Sequence, residues 1–134
     1  MPTPIETRLA TLCSPAIVPG LARTRSLLRL LGHPEKGIPV IHVAGSNAKG
    51  SVCRMLESAL TESGIRTGLF VSPHLVDFTE RFRAGGRLAK RADLERAAKP
   101  LWPALRVQAL RPEGAATYFE ALTVLAFLYF KQQR

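Results

Sequence analysis

The sequence predicts an α/β fold in which helices cover a buried parallel sheet. Three observations carry that reading. Pro39 to Ala44 (Pro-Val-Ile-His-Val-Ala) is short, β-branched and almost wholly apolar, the pattern of a strand buried on both faces. It runs into a Gly-containing loop, Gly45 to Ser51, then a helical pattern from Val52 to Ser63, then a second short strand pattern, Thr67 to Val71. That order is a βαβ unit, whose strands lie parallel. Finally, Phe119 to Phe130 is apolar nearly all round, as expected of a helix that covers a sheet.

The other elements follow from periodicity and punctuation. Leu21 to Leu31 lies between Gly20 and Gly32, and its leucines alternate with Arg23, Arg25 and Arg29, which predicts an amphipathic helix. His33 to Gly37 reads as a turn. In the loop helix, Val52, Met55, Leu56, Ala59 and Leu60 fall on one face, and Gly64 stops it. Phe78 to Arg83 alternates weakly and Gly85-Gly86 is a turn, so a short hairpin-like excursion is expected here. Ala92 to Leu105 predicts a helix interrupted by Pro100 and Pro103. Thr117 and Glu120 have the spacing of a capping box and start the last helix.

Composition bounds the function. The chain has 134 residues, enough for one compact domain, with 46% hydrophobic and 22% charged residues, which argues against disorder. The apolar stretch Ala121 to Phe130 is about half the roughly 20 residues of a membrane helix, so no membrane partner is expected. No basic-then-apolar leader is visible at the N-terminus. Two cysteines, Cys13 and Cys53, make no disulfide framework, and the expected location is cytoplasmic. Nineteen Lys and Arg against ten Asp and Glu give a net charge of +9, a surface that attracts anions. The stretch from Thr79 to Arg111 supplies much of it, but only Phe82 and Trp102 interleave the basic residues. A solvated helix surface is the plainer reading, and no nucleic-acid partner is expected.

The chemistry lies in Gly45-Ser46-Asn47-Ala48-Lys49-Gly50-Ser51. Between a strand and a helix, such a loop cradles phosphate: backbone N–H groups of the loop and helix N-terminus point at phosphate oxygens. Gly45 allows the tight turn, Gly50 a close backbone approach, and Lys49 supplies a point charge along the β- and γ-phosphates. The spacing departs from the common Gly-x4-Gly-Lys-Ser/Thr pattern, because Ala48 precedes the lysine and Gly50 separates it from Ser51. A tight strand-to-helix turn with a solvent-facing lysine is the alternative. His42 reads as a packed core histidine, His33 has no evident partner, and Cys53, in the first turn of the loop helix, is assigned no role.

Three blocks in order are similar to one family. Ile41 to Ser51 resembles the nucleotide loop His-Val-Ala-Gly-Thr-Asn-Gly-Lys-Gly-Ser of folylpolyglutamate and dihydrofolate synthases, in the Mur ligase superfamily. Gly68 to Arg83 resembles the family's Ser-Pro-His-Leu and Glu-Arg-Ile-Arg stretch, and Thr117 to Thr123 its Thr-x-Phe-Glu helix start. The resemblance runs from about Leu9 to Phe130. It implies a P-loop three-layer sheet, with residues 1–134 as the N-terminal part of a Mur-ligase-like ATP-binding domain. The rest of that domain and the C-terminal glutamate-binding domain are absent from this sequence.

The implied reaction joins L-glutamate to dihydropteroate or folates at the expense of ATP, through an acyl phosphate that turns a poor electrophile into a good one. By resemblance Lys49 is catalytic, stabilising the transferring phosphoryl group, and Gly45, Ser46, Asn47, Ala48, Gly50 and Ser51 hold the ATP phosphates. The resemblance also implies that Ser72 is a magnesium ligand, an oxygen donor suited to that ion. His74, Asp77, Glu80 and Arg81 belong to the loop that faces the pterin or folate. The plainer alternatives are a helix N-cap for Ser72 and surface charges for Glu80 and Arg81. The family enzyme is implied to be a monomer.

Two departures bear on activity. Ala48 stands where the family has glycine; if that position needs φ > 0, alanine costs on the order of 1 kcal/mol or more, and if it needs only close approach, the methyl crowds the ligand. The family's chains run to about three times this length. The strand bearing a second magnesium ligand, a glutamate, is among the missing parts. The 134 residues alone are therefore expected to be inactive, with a non-catalytic phosphate- or nucleotide-binding remnant as the alternative.

Overall fold

A computed structural model describes residues 4–134, which divide into two compact units, residues 37–91 and a helical unit of residues 4–36 and 92–132. In chain order the elements are α1 (Ile5–Leu12), α2 (Ala22–Leu30), α3 (Lys49–Glu62), β1 (Gly68–Phe70), a 3₁₀ turn (Phe78–Arg81), β2 (Phe82–Ala84), β3 (Arg87–Leu88), α4 (Arg91–Ala98), α5 (Leu101–Ala109) and α6 (Tyr118–Gln132).

The helical unit packs α2 against α5 and α6, and α1 and α5 against α6. α1, which follows Pro4 and buries Ile5 and Leu9, is absent from the pattern read off the sequence. The predicted helix over Ala92–Leu105 is in fact two, because Pro100 lacks the N–H that would continue α4. Pro103 sits at the third position of α5, where an N–H has no intrahelical partner to lose. α6 buries Ala121, Leu122, Val124, Leu125, Ala126, Leu128 and Tyr129, as its all-round apolar sequence requires, although Phe119 is half exposed.

The start of α6 is built as the sequence predicts. Thr117 N–H donates to Glu120 Oε2 at 2.8 Å and Glu120 N–H to Thr117 Oγ1 at 3.3 Å. The same carboxylate takes a two-pronged bond from Arg23 of α2, Nε at 2.9 Å and Nη2 at 3.0 Å, and both side chains are nearly buried. Burial opposes ionisation of Glu120, but the bonds from Arg23 and Thr117 outweigh it and hold the carboxyl below its ordinary range. Burial, with Glu120 nearby, pushes the Cys13 thiol up to about 11. Arg8 stacks its guanidinium 4.4 Å from the Trp102 ring centre.

In the other unit, β1, β2 and β3 form an antiparallel sheet in that order, with Gly68 opposite Ala84 and Phe70 opposite Phe82. Gly85 and Gly86 both have positive φ, 55° and 74°, as a two-residue type I′ hairpin turn demands. Phe82 is wholly buried, with the rings of Phe70 and Phe78 each 5.4 Å away. Glu57 of α3 is buried and accepts from Arg83 Nε at 3.0 Å and Arg54 Nη1 at 3.1 Å. Arg83 also donates to the carbonyl of Gly86 in the hairpin turn.

Two expectations are corrected here. The segment 39–44 carries no strand pairing and is exposed: Val40 is 64% and Ile41 65% accessible, and His42 is exposed rather than packed in a core. A strand buried on both faces needs neighbours on both edges, and among the described residues none is supplied; β1 pairs with β2 and not with this segment, so the parallel pair of a βαβ unit does not form. The apolar face of α3 is likewise open, with Val52, Met55 and Leu56 exposed, while the one residue of α3 that is buried is Glu57. The helix–strand order of the α/β reading stands; the covering layers on this side do not lie within the described residues.

Candidate functional site

The phosphate-cradle sequence forms a turn into a long helix. Gly45 takes φ 155°, and the chain then enters α3 through Ala48, which adopts φ 58°, ψ 11°. That is the left-handed region, which a side chain occupies at a cost of about 1–2 kcal/mol. Of the two possibilities for this position, the one requiring positive φ is therefore realised. Ala48 is the N-cap and offers no side-chain acceptor, so the N–H groups of Lys49, Gly50 and Ser51 have no intrahelical partner; the first helical bond is Val52 N–H to Ala48 O at 3.0 Å. Exposed N–H groups at the positive end of a 14-residue helix are an arrangement that favours an anion.

Lys49 folds back over the loop, its Nζ donating to Gly45 O at 2.6 Å. The loop from Gly45 to Ser51 is exposed throughout, and a Cβ built at Gly50 meets nothing within 4 Å. Ala48, Lys49, Gly50 and Ser51 line an open cleft of about 370 Å³ together with Arg54, Val71, Ser72, Pro73 and Leu75. The structure thus brings Ser72 to the phosphate loop, at the end of β1, where it caps no helix. Gly45, Ser46 and Asn47 lie in the loop but do not line the cleft. The lining carries two cations and two hydroxyls and no carboxylate, a donor set for a polyphosphate anion.

The remaining candidates organise the loop that follows. Glu80 accepts backbone N–H bonds from Leu75 at 2.8 Å, Val76 at 3.1 Å and Asp77 at 2.9 Å. Those bonds hold its carboxyl below the ordinary range. Asp77 caps the 3₁₀ turn, accepting from Thr79 N–H at 2.8 Å and Thr79 Oγ1 at 2.6 Å, and is lowered likewise. Arg81 Nε donates to His74 Nδ1 at 2.7 Å, so that nitrogen acts as an acceptor. Neither Asp77, Glu80, Arg81 nor His74 lines the cleft; Leu75 does.

Sequence reasoning passed over Arg54 in the cleft. For Arg54 a signal existed: it stands four residues after Gly50, one helical turn above it on the same face. Cys53 is the fifth residue of α3, past its first turn, and is half-buried. His33 does have a partner, its Nδ1 lying 2.8 Å from Glu35 Oε1.

Comparison with known proteins bears directly on this geometry. No protein-family model matches the chain. The dihydrofolate synthase/folylpolyglutamate synthase of Bacillus subtilis is 37% identical over 116 residues, which is 87% of this chain and 27% of that protein. The protein of the same description from Escherichia coli is 38% identical over 125 residues, 92% of this chain and 28% of that one. Folylpolyglutamate synthase of Mycobacterium tuberculosis complexed with ADP superposes with a TM-score of 0.87 at 34% identity, over 96% of this chain and 29% of that chain. The chain belongs to the folylpolyglutamate synthase/dihydrofolate synthase family. It spans little more than a quarter of the length of these two curated relatives. FolC of Escherichia coli, solved in complex with DHPP and ADP, superposes at a TM-score of 0.82 over 99% of this chain and 31% of its own. The α/β architecture of the family is therefore the one this chain adopts in part. Among the described residues no helix is long and apolar enough to cross a membrane.

Proposed function

We propose that residues 1–134 form the N-terminal part of a Mur-ligase-like ATP-binding domain, in an enzyme that joins L-glutamate to dihydropteroate, to folates or to both. The observation that carries this is the cleft, where the open N-terminus of α3, Lys49, Arg54 and the hydroxyls of Ser51 and Ser72 meet on one surface. The loop and helix N–H groups bind the ATP phosphates, and the Lys49 ammonium leaves the Gly45 carbonyl to neutralise the transferring phosphoryl group. Transfer to the substrate carboxylate gives an acyl phosphate, and the glutamate amine then displaces phosphate to form the amide.

Magnesium, were it bound, would supply positive charge that offsets the charge of the phosphates. The cleft would offer it oxygen donors of the right hardness at Ser72 and Ser51, and no carboxylate lines it. The 134-residue chain by itself is inactive in this reading, because the cleft holds one substrate's phosphates and nothing that engages glutamate. The cleft's lack of a carboxylate also supports the second reading, a module that binds phosphate or nucleotide without turnover.

A graft separates the two. The 134 residues replace the matched portion of the Bacillus subtilis relative, and glutamate-dependent ADP release is measured. Turnover lost on Lys49→Ala supports the ligase. ATP binding without turnover in the graft supports the module, and absence of ATP binding in both graft and chain refutes both.

A further inference from the structure

Arg54 lies outside all three sequence blocks that resemble the family, yet it lines the cleft beside Ala48 to Ser51 and Ser72. It is half exposed, and its Nη1 donates to Glu57 Oε2 at 3.1 Å, three positions further along α3. Glu57 does not need that bond for its neutralisation. Its carboxylate is buried, and Arg83 Nε on β2 lies 3.0 Å from both of its oxygens. Two guanidinium charges against one carboxylate leave one positive charge over, and the partner that carries it to the surface is Arg54, at the cleft. The bond to Glu57 uses one of the five N–H groups of the Arg54 fork and fixes where the fork stands. A helix shaped only for stability carries acid in its first turn, where the backbone dipole is positive. The first turn of α3 has none, and Lys49 opens it.

We infer that Arg54 is a phosphate-binding residue supplied from beyond the loop: its guanidinium binds an oxygen of a polyphosphate seated at the start of α3. Gly50 stands four residues before Arg54, so an anion on the N–H groups of Gly50 and Ser51 lies about one helical turn, roughly 5.4 Å, along the axis from the Arg54 backbone, within reach of its side chain. The planar fork gives two N–H groups to one oxyanion, which the Lys49 ammonium does not. This rests on the proposed reading of the cleft as an ATP site and adds a second cation to it. A substrate carboxylate is the other oxyanion the same fork fits, and the test separates the two.

Calorimetry on the 134-residue chain and on the Bacillus subtilis graft measures binding of ATP and of inorganic tripolyphosphate. The variants are Arg54→Ala, Arg54→Lys and Arg66→Ala. Arg66 is exposed in the same unit and does not line the cleft, so its removal takes away the same net charge elsewhere. Arg54→Ala weakens both ligands about tenfold, Arg54→Lys recovers part of the loss, and Arg66→Ala changes neither by more than about twofold. Equal losses in the two alanine variants overturn the assignment, as does a parent sequence that binds neither ligand in chain or graft. In the graft, Arg54→Ala raises KM for ATP and leaves KM for the ring-bearing acid within about twofold. The reverse pattern gives Arg54 to the carboxylate and overturns its phosphate role. A graft that binds ATP without turnover refutes the ligase reading instead, and the binding ratios then decide the role of Arg54 alone.

Discussion

Ala48 is the residue whose replacement tests the phosphate loop most sharply. It sits at φ 58°, ψ 11° and is followed at once by the 14 residues of α3. For an L side chain that conformation costs about 1–2 kcal/mol. Glycine escapes the cost but gives the unfolded chain more freedom, worth about 0.4–1 kcal/mol in the other direction. Ala48→Gly should therefore stabilise the unit by roughly 0.5–1 kcal/mol. The control is Ala59→Gly in the exposed interior of the same helix, where the same change of side chain should cost about 1 kcal/mol. Urea unfolding of the two variants reads the difference. Exchange of the Val52 amide reads it locally, since that N–H makes the first helical bond to the Ala48 carbonyl. Two variants that destabilise alike would refute the claim that Ala48 is strained. The consequence for ATP is a separate matter. Strain present in both free and bound loop cancels from the affinity, so tighter ATP binding by Ala48→Gly in the graft would report the methyl group's intrusion on the cleft it lines.

Four further outcomes follow from the packing. Glu57→Ala leaves Arg83 with its main counter-charge gone and should cost about 3 kcal/mol in urea unfolding, whereas Arg54→Ala, at a half-exposed partner, should cost less than 1 kcal/mol. Because the Glu120 carboxyl is held below its ordinary 4.5, its pairing contributes stability above that pH and loses it as pH falls through the lower folded value. The stability gap between the parent chain and Glu120→Gln should therefore shrink below pH 4.5 in urea titrations. With its thiol raised to about 11, Cys13 should alkylate slowly at pH 8 in the native chain and at the ordinary rate in urea, read by mass spectrometry of its peptide. The exposed Ile41 and Met55 should drive self-association, so Ile41→Lys with Met55→Lys should shift the chain toward monomer in sedimentation without moving its helical circular dichroism.

The parts of this molecule that were legible in its sequence are those whose cause is local. Thr117 and Glu120 stand three apart and meet because a capping box needs only one turn of helix. Gly85-Gly86 makes a hairpin turn because both residues accept positive φ without a Cβ to object. The turn of residues 45–51 was readable for the same reason, glycine-containing chain followed by a helix, although its lysine pointing back to Gly45 was not. Partners far apart in sequence carry no such trace. Arg23 and Glu120 are 97 residues apart and Glu57 and Arg83 are 26 apart, and nothing in either neighbourhood specifies the other. The apolar patterns of residues 39–44 and of α3 were read correctly as surfaces that seek cover and incorrectly as surfaces that have it. Periodicity tells which face of an element is costly to leave in water; it does not tell whether the same stretch of chain contains the element that shields it. That distinction separates a chain spanning little more than a quarter of its curated relatives from the whole fold, and it places the open face on the same unit as the phosphate loop.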